Sequence, residues 1–140
     1  MIQHRIDKNQ GCIFIEVTGA PQVQDCIAAT ALVVRDPLYD IEYHRMIDFS
    51  QANLKHGTAE DVMRFVEWAK SSVPMSRSAR IAIVAPDPER AGILRTFAKL
   101  INRGSFRIFF EPMDARAWIE GDISAAPAPG GFDKVLGGVA

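Results

Sequence analysis

The sequence lacks most of what would announce a chemistry. It has only two cysteines, Cys12 and Cys26, both in apolar surroundings and without the paired spacing of a metal site. Buried free thiols in a reducing compartment are the simplest account. An excess of one charge is missing too: Lys and Arg total 16, Asp and Glu 17, and the net charge is -1. That argues against nucleic acid as a partner, because neutralising phosphates takes a strongly basic surface. Arg90, Arg95, Arg103 and Arg107 fall close together, but read as a solvated helix face plus loop rather than an anion site. No apolar run approaches the roughly 18 residues of a membrane span, so the chain is expected not to cross one. Met1 to Asp7 alternates polar and apolar residues, unlike a signal peptide, and a cytoplasmic protein is expected.

Catalytic patterns are equally scarce. There is no Gly-x-Ser-x-Gly elbow of a serine hydrolase. No glycine-rich phosphate loop follows a strand, and Ala85-Pro86-Asp87-Pro88 stands in that place. His4, His44 and His56 are scattered without zinc spacing. His44 and Asp48 share a strand face but lie roughly 13 Å apart along it, too far for a hydrogen-bonded pair. His44 therefore reads as an ordinary strand histidine. The expectation is a non-enzyme with no catalytic residue, no metal ligand and no cofactor.

What is present reads as one α/β domain. The 140 residues are 48% hydrophobic and 24% charged, enough to bury an ordinary core. A weak strand from Ile2 is followed by a Lys8-Asn9-Gln10-Gly11 turn, and Cys12 to Thr18 is β-branched and aromatic, predicting a hairpin. Val23 to Arg35 is a helix apolar nearly all round, expected to be covered by its sheet and by a neighbouring subunit. Asp36-Pro37 stops it. Arg80 to Ala85 is a short central strand, and Asp87-Pro88-Glu89 opens the next helix with an N-cap and a proline at its first position. Gly104 is expected to end that helix, with Phe106 to Phe110 the last strand. Asp114 caps a short helix carrying Trp118. Phe65, Trp68, Phe97, Phe109, Phe110 and Trp118 are expected in the core. Residues 122 to 140 turn rich in Ala, Pro and Gly and read as a flexible tail after a domain over 1–121.

The stretch from Tyr43 to Val62 says where to look for function. A strand over Tyr43 to Phe49 carries Asp48, a polar loop from Ser50 to Gly57 holds Asn53, and Thr58 caps a helix with Asp61 three residues on. Carboxyl ends of strands are where α/β domains usually meet ligands. Asp48, Ser50, Asn53, Thr58 and the neighbouring Arg90 are therefore the candidate partner- or ligand-binding surface. Holding the loop against the Thr58 helix is the structural alternative for Asp48 and Ser50.

The resulting order, β-β-α-β-α-β-α-β-α, predicts a five-stranded mixed and mostly parallel sheet flanked by four helices. With the strand end RMIDFSQAN, the passage IAIVAPDPERAGILRTF and the closing FRIFFEPMDARAWI, it resembles the STAS domain, particularly the SpoIIAA-like branch, which is akin in fold to CRAL-TRIO lipid carriers. The resemblance covers about residues 1–121. It implies a regulatory module in bacterial signalling that binds another protein, with a serine or threonine phosphorylated at a helix start. Asp48-Phe49-Ser50 matches part of that motif, while the Asp-Ser-Ser-Gly-type turn is absent, leaving Thr58 and Ser50 as the nearest hydroxyls. The fold kinship and the apolar Val23 to Val34 helix also raise a carrier of an apolar small molecule between sheet and helices. The apolar helix, and the tail residues Phe132, Val135, Leu136 and Val139 that could dock on the body or on a second subunit, tilt the expectation towards a homodimer.

Overall fold

The chain opens on strands β1 (Ile2–Asp7) and β2 (Cys12–Gly19), antiparallel partners from Ile2 opposite Val17 to Asp7 opposite Cys12. Their turn is built by Asp7, whose Oδ1 accepts the backbone N–H of Asn9 at 3.0 Å and of Gln10 at 3.1 Å. Gly11, at φ +61, supplies the left-handed residue the turn requires. In this computed structural model residues 1–101 and 105–121 are described, together with the backbone of Asp133–Val135.

After the hairpin come α1 (Val23–Arg35), β3 (His44–Ala52), α2 (Ala59–Ser72), β4 (Arg80–Val84), α3 (Pro88–Leu100), β5 (Ser105–Phe109) and α4 (Pro112–Ile119). Strands β2 to β5 are parallel and adjacent in chain order, so the five expected strands and four helices are all present. A short β6 (Asp133–Val135), within the stretch read as tail, adds a sixth strand antiparallel to β5. The rest of that stretch, like Arg103 and the Gly104 cap, lies outside the described residues.

Every parallel crossover steps to the next strand in the same direction. A common right hand then puts all three crossover helices on one face of the sheet. Accordingly α1 packs on α2 and α2 on α3. Ile81, Ile83, Phe106 and Ile108 face α2 and α3 across one core layer. Alternate residues Met46, Ala82, Val84 and Phe109 point the other way, to Ala115, Trp118 and Ile119 of α4. Phe106 and Phe109 are both fully buried, each contributing about 1.5–3 kcal/mol by leaving water. Of the other aromatics expected in the core, Trp118 is buried, whereas Phe65, Trp68, Phe97 and Phe110 are only partly covered.

Within the chain itself, helix α1 is little covered. Only Val33 is buried within the chain, and Leu32 is 57% exposed. It begins at Val23 behind Gln22 as N-cap, with Asp25 accepting the Gln22 N–H at 2.9 Å. Pro21 lies just before that cap. The third strand also runs three residues past Phe49, to Ala52, before the loop begins. The last helix starts at Pro112 behind Glu111 as N-cap, so Asp114 sits in its first turn instead of capping it.

Candidate functional site

A cavity of about 660 Å³ opens between the sheet and helices α1, α2 and α3. Its floor is Ile15 and Val17 of β2, Ile47 and Phe49 of β3, and Ile83 of β4. These are the alternate residues of three neighbouring parallel strands, which period-2 geometry aims at one face. Val23, Cys26 and Thr30 of α1 form one wall, Val62 and Phe65 of α2 another, and Leu94 and Phe97 of α3 the far end. Phe65 and Phe97 meet with ring centroids 5.6 Å apart. The Thr30 hydroxyl donates to the Cys26 carbonyl at 2.7 Å, so it presents no free donor to the cavity. Burial pushes the Cys26 thiol above its ordinary pKa, keeping it neutral near pH 7.

The rim belongs to the loops after β2 and β3, at the carboxyl ends of the parallel strands. Asn53 N–H donates to the Gly19 carbonyl at 2.7 Å, fastening one loop to the other. Gly19 stands at φ +74, a left-handed conformation that side chains strain to adopt. Gln22, Asn53, His56, Thr58, Asp61 and Arg64 supply the polar rim.

The five residues singled out from sequence fall in three places. Asn53 and Thr58 line the cavity. Thr58 Oγ1 accepts the Asp61 N–H at 3.1 Å, and Asp61 accepts the Thr58 N–H at 3.4 Å, closing the expected capping box. Asp48, two residues past Met46, points to the α4 face instead. It accepts the Ser50 N–H at 2.8 Å where the β2–β3 register slips, so both residues shape a bulge at the strand end. Arg90 neither lines the cavity nor stands free: its Nε–H donates to the Ala52 carbonyl at 2.7 Å and its guanidinium pairs with Asp87. Asp87 also caps α3 through the Arg90 N–H at 2.9 Å. Arg90 thus ties the start of α3 to the end of β3.

His44 is similarly occupied. Its Nδ1 accepts the Arg80 N–H at 2.9 Å across to β4, which fixes the neutral tautomer protonated at Nε2. Desolvation, and then the nearby Arg80 and Arg45, hold its pKa below the ordinary histidine value. The unfolded chain binds that proton near pH 6.5 while the folded chain still refuses it. Stability should therefore fall as pH drops below about 6.5. His44→Asn, which keeps an acceptor near the Nδ1 position, should flatten this acid slope in urea denaturation between pH 7 and 5.5. An unchanged slope would assign the acid sensitivity elsewhere.

The residues that sequence reasoning missed are the apolar floor and the rim side chains of His56 and Arg64. The floor strands were legible, but which alternate set meets helices at close range and which meets a void is not a local property. No three His, Cys, Asp or Glu side chains gather as a metal site among the described residues. No helix of the described residues is long and apolar enough to cross a membrane. Neither a family model nor a curated protein matches the chain.

Proposed function

We propose that this protein is a non-enzymatic binding module for an apolar or amphipathic small molecule, held between the sheet and helices α1 to α3. The carrying observation is the cavity of about 660 Å³ with its apolar floor and walls. Protein interiors pack like organic crystals and rarely leave voids larger than a water. Ligand pockets, in contrast, run to about 300–1,000 Å³, mostly apolar with a few polar groups at defined points. The position, at the carboxyl ends of β2, β3 and β4, is where open α/β sheets bind ligands. The element order and Asp48-Phe49-Ser50 support a place in the STAS-like class for this module. A small-molecule role is favoured over a partner surface built on Asp48, Ser50 and Arg90, because the Asp48 carboxylate and the Arg90 guanidinium are already used within the chain.

The test is binding of the neutral apolar dye N-phenyl-1-naphthylamine to the full chain. Val62→Trp projects a large ring from the α2 wall into the cavity and should weaken dye binding at least tenfold, with near-UV circular dichroism retained. Should that variant misfold, alkylating Cys26 with a bulky maleimide after folding blocks the same space. Dye affinity unmoved by both changes would end this reading.

A further inference from the structure

Building on the cavity reading just proposed, we infer that the rim selects an amphiphile with a carboxylate head, an aliphatic or aryl carboxylic acid whose apolar body fills the floor. The separation of polarity comes first. The floor offers Ile15, Val17, Ile47, Phe49 and Ile83 and no hydrogen-bonding side chain. A charged head buried there would be stranded without partners, so it must stay at the rim.

The rim's ionisable side chains are His56, Asp61 and Arg64. They are not equivalent. Asp61 is committed to the capping box, its carboxylate accepting the Thr58 N–H at 3.4 Å. It also sits in the first turn of α2, where the positive helix end offsets its charge. Arg64, one turn further along the same helix, makes no hydrogen bond or ion pair with any described residue, although Asp61 is three positions away. Its side chain is exposed and lines the cavity, so the guanidinium is available to a ligand. A planar fork of N–H donors suits a carboxylate, which it can bind bidentately. His56, from the loop before α2, adds an imidazole with an N–H to donate and is likewise without a partner among the described residues. Asn53, whose Oδ1 already accepts the Lys55 N–H at 3.0 Å, has its amide NH₂ left to donate. Of the charged side chains at the rim, Arg64 is uncommitted and Asp61 is not, which disfavours a cationic head.

The experiment displaces N-phenyl-1-naphthylamine from the full chain with decanoate, decan-1-ol and decyltrimethylammonium, at pH 7.5 and low salt. Decanoate should displace the dye at about tenfold lower concentration than decanol, with the ammonium compound weakest. Within the carboxylates, affinity should rise about fourfold per added methylene until the floor is full. In Arg64→Gln the ratio of decanoate to decanol affinity should fall close to one. Decanol matching decanoate in the natural chain, or a ratio that survives in Arg64→Gln combined with His56→Gln, overturns the carboxylate inference while leaving the cavity reading intact. If neither the dye nor any of the three compounds binds, the cavity reading fails and this inference with it.

Discussion

Phe106→Ala should cost about 3–5 kcal/mol of unfolding free energy in urea, whereas Phe97→Ala should cost well under half as much. The two rings touch, 5.6 Å between centroids and near edge-on, so chemistry alone would not separate them. Their surroundings do. Phe106 is fully buried between β5 and the α3 side of the core, and its removal leaves a hole that rigid neighbours cannot fill. Phe97 is only partly buried and already borders the cavity, so truncating it enlarges an existing space instead of opening a new one. It forfeits contacts with Phe65 and Phe106 but little close packing beyond them. For a domain whose whole stability is about 5–15 kcal/mol, the first loss is severe and the second tolerable. Phe97→Ala should also accept a bulkier ligand. Equal costs for the two substitutions would mean that the cavity collapses in solution.

Occupying the cavity should protect Cys26 and raise the melting temperature together. Cys26 lines the cavity, while Cys12 is fully buried beneath the opposite face, its thiol pushed up to about 11 mainly by desolvation. A maleimide should therefore modify Cys26 and spare Cys12 in the folded chain. Ligand at a hundred times its Kd leaves about one molecule in a hundred open, so labelling should slow about a hundredfold. The same occupancy adds about 2.7 kcal/mol to the folded state, a rise of roughly 10 °C for a domain of this size. Both effects come from one binding constant and must scale together. Thermal stabilisation with undiminished labelling would place the ligand somewhere other than this cavity.

How much of this was legible beforehand differs element by element. The hairpin announced itself in Asn9, Gln10 and Gly11, the α2 start in Thr58 and Asp61, and the α3 start in Asp87 and Pro88, because capping and turn chemistry act within a few residues. The limits of α1 followed from its apolar run and from Asp36-Pro37. Beyond that reach the reading thinned. The strand β3 continues past Phe49 to Ala52 because it pairs with Thr18 and Gly19 of β2, and nothing local to Ser50 and Gln51 signals that. Strand β6 exists through its pairing with β5, in a stretch whose composition suggested none.

The candidate site divides along the same line. That Asn53 and Thr58 stand at the edge of the sheet, where the cavity opens, was readable, since strand ends and helix caps mark that edge. That Arg90 is spent on Ala52 and Asp87, that Asp48 turns to the other face, and that Arg64 stands at the rim without a partner among the described residues were decided in three dimensions. Sequence by itself determined the order of elements, their caps and the alternation that gives each strand two apolar faces. Only the tertiary structure decided that the face under α1 and α2 meets a void and the face under α4 a packed layer. Alternation sets which way a side chain points, but the distance to what it meets depends on how helices from separate parts of the chain settle against the sheet.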